Sequence, residues 1–328
     1  MKDIQSNIQL DYQGLEAGID SIQIEGESTL DKEAVRDRIR DAGYGIKKIR
    51  ARQPAKMSFL ACDASILKRE LLYNSIWAGH VITVYGGYDG EEHPDHLSGR
   101  GSVNYGGLRY GSRIRYGAFK PYSGLEDRLD SLRTAMEIQA LMEGVDADVL
   151  LFDGSIYSSL EKSGKRSGYP EHAEARKMLE TLLDECCVAQ VEDTHASRIS
   201  RRLGYATTDL LLAEIALEAN EYIMYGDELR VVHLKLPGKK TFFLDKPSTP
   251  QVVRWEFTEK SLKLLPDLAG IWLGEDDLIH PQLYPIRVAD HLTRKIRVSG
   301  ILDKIVRQRN LKPRHRSRRS VDFIEDIY

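Results

Sequence analysis

The chain is poor in cysteine, with only Cys62, Cys186 and Cys187 among its 328 residues. There is no CxxC pair, which argues against a zinc ribbon. We expect the three cysteines to be buried, reduced thiols. Long apolar runs are also absent, since none approaches the roughly 20 residues that a membrane span needs. The first residues contain no apolar signal core. We therefore expect a cytoplasmic protein without membrane segments.

Several common nucleotide and hydrolase motifs are missing as well. No GxxxxGK[ST] phosphate loop occurs, no GxGxxG follows a predicted strand, and no GxSxG elbow is present. The formal net charge is only −3, with 41% hydrophobic and 30% charged residues. This composition is ordinary for a globular protein and rules out a polycation. The length allows one large domain or two modest ones.

Positive charge is concentrated near the C-terminus. Residues 304–319 contain eight Lys or Arg and no acidic residue. Such a block predicts a phosphate-binding tail, with Arg314 and Arg316 as candidate nucleic-acid contacts. A solvated terminus without a ligand is the alternative interpretation.

A second candidate nucleic-acid segment spans residues 79–124, which contain eleven glycines and six tyrosines. Arg109, Arg113 and Arg115 are interleaved with these residues. Arginine pairs with phosphates and tyrosine stacks on bases, so the segment is a candidate grip for a single strand. The alternative is a pair of tyrosine-rich sheet strands joined by ordinary turns.

The apolar periodicity divides the chain into three parts. Residues 1–55 are predicted to form a helical N-terminal arm that contacts a partner subunit, and residues 304–328 a basic C-terminal tail. Between them, residues 56–303 alternate between strand and helix patterns. Residues 125–143 are predicted to form one long helix and residues 286–309 another. This order predicts an α/β domain with a mixed sheet flanked by helices.

Two aspartates each follow an apolar, strand-forming run. Residues 59–62 lead into Asp63 and residues 149–152 lead into Asp153, and each aspartate is followed by a small residue and a serine. This pattern predicts two buried strands that each deliver a carboxylate to their C-terminal end. Aspartate also forms plain turns, which is the alternative for either site.

Further candidate ligands come from two predicted helices. Glu137 flanks the apolar face of the helix that precedes Asp153, although an exposed glutamate paired with Arg133 is the simpler interpretation. Near the C-terminus, Tyr284 precedes a proline suited to a first helical turn, and Asp290 and His291 follow in the second turn. Either of the last two can ligate a divalent ion.

A group of carboxylates has a clear chemical use. Three or four of them around one or two Mg²⁺ or Mn²⁺ ions activate a water, bind a scissile phosphate and stabilise the departing oxygen. Carboxylates suit these ions because both partners are hard. The pattern therefore favours phosphodiester hydrolysis.

The order of these motifs resembles that of the NurA nuclease family. The resemblance rests on Asp63, Glu137, the Asp153-containing Phe-Asp-Gly-Ser motif, and Tyr284 followed by Asp290 and His291. It implies an RNase H-like core and Mn²⁺-dependent (or Mg²⁺-dependent) cleavage of DNA, with 5′→3′ exonuclease and single-strand endonuclease activity. It also implies a homodimer that works with a HerA-like hexameric translocase in end resection during double-strand break repair. Tyr284 would orient the scissile phosphate.

The chain departs from that family's pattern at two places. Glu192 and Asp193 stand where the family often has a lysine-containing segment, and the last metal ligand is either Asp290 or His291. Two other functions remain open at this point. One is a non-catalytic DNA-repair adaptor that binds DNA and a translocase. The other is an actin-like phosphotransferase, for which no convincing glycine-rich phosphate segment is found.

Overall fold

The computed structural model describes thirteen stretches of the chain. They are residues 30–52, 56–71, 74–88, 93–94, 101–102, 105–120, 125–144, 146–165, 169–191, 195–238, 249–275, 282–296 and 298–312.

The described residues form strands and helices in the following order. The strands are β1 (Ile46–Lys48), β2 (Met57–Glu70), β3 (Ser75–Tyr88), β4 (His93–Pro94), β5 (Gly101–Ser102), β6 (Tyr105–Phe119), β7 (Val149–Asp153), β8 (Cys187–Val191), β9 (Glu221–Tyr225), β10 (Leu229–Leu236) and β11 (Gln251–Thr258). The α-helices are α1 (Lys32–Asp41), α2 (Leu125–Met142), α3 (Ile156–Lys165), α4 (Pro170–Leu183), α5 (Arg198–Arg202), α6 (Asp209–Ala216), α7 (Leu265–Gly274), α8 (Tyr284–Lys295) and α9 (Val298–Gln308). A 3₁₀ turn, Leu262–Leu264, precedes α7.

One nine-stranded sheet organises the molecule, in the order β1-β9-β10-β11-β8-β7-β2-β3-β6. Its centre is parallel, because β7 pairs in parallel with β2 on one side and β8 on the other. The remaining pairs in this sheet are antiparallel. The RNase H-like prediction of a mixed sheet flanked by helices is confirmed.

Helices cover both faces of the central strands. Alternate side chains of a strand point to opposite faces, so Leu60 and Cys62 of β2 pack with α2 and α4. Phe59 and Ala61 face the other way and join the core formed with α7 and the start of α8. Burial on both faces explains why these strands appear in the sequence as nearly continuous apolar runs.

Within the predicted N-terminal arm, the described residues form helix α1 and strand β1, and residues 1–29 lie outside the described part. Val35 and Ile39 of α1 are buried against α6 and β9 of the same chain. This apolar face therefore packs inside its own subunit instead of being presented to a partner.

Two predicted element boundaries are wrong. Strand β2 does not end at Asp63 but continues to Glu70, because β3 pairs with it along its whole length. The predicted helix over residues 286–309 is broken at Ile296, whose ψ of 116° is extended. Helices α8 and α9 pack on different apolar clusters, so each half keeps helical spacing without forming one helix.

Cys62 and Cys187 are buried and Cys186 is half-buried, and all three are free thiols. Among the described residues, no helix is long and apolar enough to cross a membrane.

Candidate metal centre at the end of strand β7

A tight turn holds Asp153 at the carboxyl end of β7. Gly154 adopts a φ of +98°, which a residue with a side chain rarely accepts, and its N–H donates to the carbonyl of Gln190 at 3.1 Å. The hydroxyl of Ser155 then accepts from the N–H of Ser158 at 3.0 Å, which supports the start of α3. The Asp-Gly-Ser motif is therefore a strand-to-helix turn that exposes one carboxylate at the sheet edge.

Asp63 lies beside Asp153 on the neighbouring strand. The parallel ladder ends with Cys62 opposite Phe152, so the two aspartates follow in register and point to the same face. Asp63 is 7% exposed. Its burial and the charge of Asp290 raise the pKa of its carboxyl above the usual range. Two strands thus bring two carboxylates together, as the sequence pattern predicts.

Helix α8 is docked onto this edge by two hydrogen bonds. The Gln282 side-chain amide donates to Asp153 at 2.5 Å, and the Leu283 N–H donates to the buried side chain of Gln190 at 2.7 Å. This docking brings Asp290 into the same cavity as Asp63.

The other two candidates on α8 lie elsewhere. His291 is exposed and lines neither of the cavities described below, so Asp290 is the one that faces Asp63. Tyr284 stands at the start of the helix, is 40% exposed, and also lies outside both cavity linings.

Glu137 approaches from α2 and is 2% exposed. Its backbone carbonyl accepts from the Cys62 thiol at 3.3 Å, which anchors the helix to β2. Burial raises the pKa of its carboxyl to about 8, and the charges of Asp63 and Asp153 act in the same direction. Its Oε1 has no hydrogen-bond partner. A buried carboxylate oxygen without a donor is costly unless a cation approaches it.

Two adjoining cavities lie over these acids. The larger, of about 1130 Å³, is lined by Glu137 and Asp153, and the smaller, of about 430 Å³, by Asp63 and Asp290. Asp130 and Arg133 of α2 line both cavities. The four candidate acids are therefore divided into two pairs by groups on one helix.

The acids do not form a finished metal cage. Within the described part of the chain, no group of three or more His, Cys, Asp or Glu side chains is placed to hold a metal ion. The acids nevertheless act on one another, since Asp63 and Asp153 both raise the pKa of Glu137. The donor set is all oxygen, which suits Mn²⁺ or Mg²⁺, and Glu137 Oε1 accepts no hydrogen bond. The chemistry of these residues therefore fits a hard divalent ion.

A buried ion pair on β11 supports the turn after β7. The sequence pattern does not reveal this pair. Arg254 and Glu256 of β11 are 1% and 0% exposed and pair at 2.5 Å. Glu256 also accepts from the Ser155 hydroxyl at 2.6 Å and from the Tyr157 N–H at 2.8 Å. Their alternation with apolar residues in an antiparallel strand is the only sequence signal, and it is typical of a half-exposed strand.

The larger cavity also has a cationic wall. His195, Arg198 and Arg201 line it, and the Arg198 guanidinium lies 5.1 Å from the centre of the Tyr157 ring. Among the described residues, neither of these arginines forms an ion pair. Sequence reasoning missed them because they are not clustered with other basic residues in a long run.

The arginines predicted to hold nucleic acid lie on β6, at the edge of the sheet. Arg109 stacks 4.6 Å from the centre of the Tyr85 ring, Arg113 pairs with Glu143, and Arg115 lies 3.8 Å from Glu174. None of the three lines the cavities over the acids. Four other predicted residues, Arg314, Arg316, Glu192 and Asp193, lie outside the described part.

The buried Glu137 predicts a pH dependence of stability in metal-free protein. Its pKa rises on folding from an ordinary 4.5 to about 8, so the native state binds the extra proton between these values. The free energy of unfolding should therefore fall as pH rises from about 4.5 to about 8. Glu137→Gln should reduce this slope, with the remainder due to groups such as Asp63. Urea unfolding in EDTA, repeated across this pH range, measures the free energy of unfolding and so its slope against pH.

The matched control is Glu180→Gln on α4, which removes an exposed carboxylate from the same kind of i,i+4 pair with arginine. It should leave the slope unchanged. If the free energy of unfolding had the same pH slope in wild type and in Glu137→Gln, the pKa of Glu137 would not be raised by folding, and the prediction would be wrong.

Comparisons with known proteins identify the family and the fold. A family model, the NurA domain, matches residues 57–294 of the 328-residue chain. Two solved structures are similar. The NurA nuclease from Sulfolobus solfataricus has 13% sequence identity and a TM-score of 0.53, and the match covers 91% of this chain and 95% of that one. A second NurA structure has 12% identity and a TM-score of 0.51, and the match covers 92% of this chain and 99% of that one. No curated protein matches in sequence. The structures establish a shared fold, and the family match extends from β2 to α8, so this chain belongs to the NurA domain family.

Proposed function

We propose that this protein is a divalent-metal-dependent DNA nuclease that hydrolyses phosphodiester bonds at the end of β7. One observation carries the proposal: Asp63 and Asp153 stand in register on neighbouring parallel strands, with the buried Glu137 beside them. Membership of the NurA domain family supports the same activity.

Asp63, Glu137 and Asp153 would hold the metal, with Asp290 as a further ligand. Mn²⁺ is the ion that the family resemblance implies, and Mg²⁺ accepts the same oxygen donors. When bound, such an ion activates a water and neutralises charge on the phosphate. His291 is exposed and does not line the cavity that contains Asp63, so we propose an all-carboxylate set of ligands.

Other residues of the chain position these ligands. Gln282 donates to Asp153 and so fixes one carboxylate oxygen, while Glu256 holds the Ser155 hydroxyl and the start of α3. Thr293 donates to the backbone carbonyl of Asp63 at 3.3 Å and ties α8 to β2. The family resemblance gives Tyr284 the role of orienting the scissile phosphate.

The cationic wall is the part of the site that would hold the DNA strand. Arg198 and Arg201 can pair with phosphates, and the Tyr157 ring beside Arg198 offers a stacking surface. Acids and arginines line the same cavity. The scissile phosphate would bind at the metal, and the adjacent phosphates of the strand would pair with the arginines. The β6 arginines and the basic C-terminal segment would extend this track.

The expected effect of removing the wall is weaker binding of single strands. Arg198→Ala/Arg201→Ala should lower the affinity and reduce the slope of log K against log salt by roughly 0.7 for each lost phosphate contact. Fluorescence anisotropy with a labelled oligonucleotide in EDTA measures both quantities without cleavage. Arg176→Ala on α4 is the control, since that arginine is exposed and lines neither cavity. An unchanged salt slope would exclude the wall as the DNA site.

The wider role follows from the family resemblance. We propose 5′→3′ exonuclease and single-strand endonuclease activity, used in end resection during double-strand break repair. The protein would act as a homodimer with a HerA-like hexameric translocase that feeds DNA to it.

The proposal is tested by metal removal. The purified protein should degrade linear DNA with Mn²⁺, stop when EDTA is added, and recover when Mn²⁺ is restored in excess. The products are followed on a gel with a 5′-labelled and a 3′-labelled strand. Intact DNA with both Mn²⁺ and Mg²⁺ would favour the adaptor alternative, especially if single strands still bind.

A further inference from the structure

Arg133 is in the middle of the candidate metal centre. It lies on α2, one turn before Glu137 and one turn after Asp130. Its Nη1 is 3.7 Å from Oε1 of Glu137, and its Nη2 is 3.4 Å from Oδ1 of Asp130. The guanidinium thus contacts two carboxylates: that of Glu137, which is almost fully buried, and that of Asp130, whose side chain is 45% exposed.

The charge of Arg133 acts on both pairs of acids. It lowers the pKa of Asp63 and of Glu137, against the effect of their burial. Among the charges that act most strongly on these two carboxyls within the described residues, it is the only cation. The contact to Glu137 is directed at Oε1, the oxygen that has no hydrogen-bond partner.

Arg133 also lies at the boundary of the two cavities. It lines the one that contains Glu137 and Asp153 and the one that contains Asp63 and Asp290. Within the described residues, the acids on either side of it are not grouped to hold a metal. A cation that bound both pairs of acids would need the space between them.

We propose that Arg133 is a resident counter-cation that holds the metal site in its metal-free state, and that a divalent ion displaces it from Glu137 toward Asp130. The inference rests on the proposed function, because it requires that the acids bind metal. It assigns to Arg133 a positioning role rather than contact with the reacting atoms.

Electrostatics makes the two cations exclude each other. A metal on Glu137 Oε1 would stand about 2.0–2.6 Å from that oxygen, and the guanidinium is now within 4 Å of the same atom. Two positive groups this close repel strongly where water is largely excluded. One of them must leave, and the metal makes the shorter bonds.

Arg133 has a route out of the site. Its side chain is 43% exposed, so its outer end already meets solvent, and its second partner Asp130 is on the same helix. A change of side-chain rotamer lets the guanidinium keep Asp130 while it releases Glu137. The backbone of α2 does not need to move.

The metal-free protein benefits from this arrangement. Without a cation, four acids near one another would repel, and the buried Glu137 would be the most costly. Arg133 offsets that repulsion until metal arrives. Metal binding is then an exchange of one cation for another.

The test is a calorimetric titration of Arg133→Gln with Mn²⁺, with no DNA present. At pH 8.5, where protons compete little for the carboxylates, the dissociation constant should fall roughly tenfold, because a nearby charge changes such a site by about one logarithmic unit or more. The melting temperature in EDTA should drop, and the rise caused by Mn²⁺ should exceed that of wild type. Arg133→Lys keeps the charge and should bind Mn²⁺ nearly as wild type does.

Arg176→Gln is the matched control, because Arg176 forms the same i,i+4 pair with Glu180 on the exposed side of α4. It should leave Mn²⁺ binding unchanged. Weaker or equal Mn²⁺ binding by Arg133→Gln would overturn the inference and leave the proposed function standing. No Mn²⁺ binding by wild type would overturn the proposed metal site itself, and the inference with it.

A crystal structure of the wild type with Mn²⁺ provides the second measurement, in case Arg133→Gln does not fold. Arg133 should lie with Asp130, farther than 4 Å from Glu137 Oε1. A guanidinium still in contact with a metal-bound Glu137 would contradict the exchange.

Discussion

Asp153→Asn should abolish most of the metal-dependent cleavage of linear DNA, with a loss of roughly a thousandfold. A metal ion supplies several kcal/mol of charge stabilisation in the transition state, at about 1.36 kcal/mol for each tenfold in rate. Asparagine keeps an oxygen that accepts from Gln282 but loses the negative charge that the metal needs. Single-turnover rates with saturating Mn²⁺ measure the loss, and circular dichroism confirms the fold.

The matched control for this variant is Asp227→Asn, which changes an exposed aspartate in the turn between β9 and β10. It should cleave DNA as the wild type does. Full activity of Asp153→Asn would show that Asp153 is not needed for cleavage and would contradict the proposed metal site.

Asp63→Asn should lose activity to a similar degree while melting at a higher temperature in EDTA. Its burial and Asp290 both raise the pKa of the Asp63 carboxyl, so the ionised form is disfavoured in the folded protein. Asparagine removes the charge and leaves the backbone pairing of β2 in place. Lower activity combined with higher stability would be hard to explain by misfolding.

The second large effect is expected for the buried pair beneath the turn. Glu256→Ala removes the buried carboxylate that pairs at 2.5 Å with Arg254, which is 1% exposed. Breaking a buried ion pair in this way costs about 3–5 kcal/mol, and Glu256 also accepts from Ser155 and Tyr157. Urea unfolding gives the free energy directly.

Two further variants separate the causes. Arg254→Met/Glu256→Leu removes both charges and should recover most of the lost stability, because no charge is left buried alone. Glu180→Ala breaks the exposed pair with Arg176 and should cost less than about 1 kcal/mol. A small loss in Glu256→Ala, equal to that of Glu180→Ala, would mean that Arg254 finds another way to be satisfied.

The strand ends were predictable because their signal is local. An apolar run followed by Asp, a small residue and Ser marks the turn after β7, and Gly154 with its positive φ fits it. The same pattern misplaced the end of β2, because β3 supports that strand beyond Asp63. Strand β3 follows β2 directly in the chain, but residues 64–70 mix apolar and polar side chains and give no apolar run that marks the extension.

The side of a helix that a residue faces was harder to predict. Glu137 seemed better explained as an exposed partner of Arg133, yet the contact with Cys62 and the depth of α2 bury it. The choice between Asp290 and His291 depended on how α8 is rotated. Gln282 and Leu283 fix that rotation through long-range hydrogen bonds. Spacing along one helix contains no information about them.

The centre draws its groups from β2, α2, β7, β11 and α8, which span most of the described chain. Parallel pairing of β2 with β7 already requires a long loop to close, and such contacts form late in folding. Gln282 and helix α8 then add the groups around Asp153 and Asp63, and Gln282 is 129 residues from Asp153 along the chain. The two aspartates can therefore be in place on the sheet before the groups that orient them have docked. Undocking of α8 alone would leave the sheet intact and take Gln282 and Asp290 away from the acids.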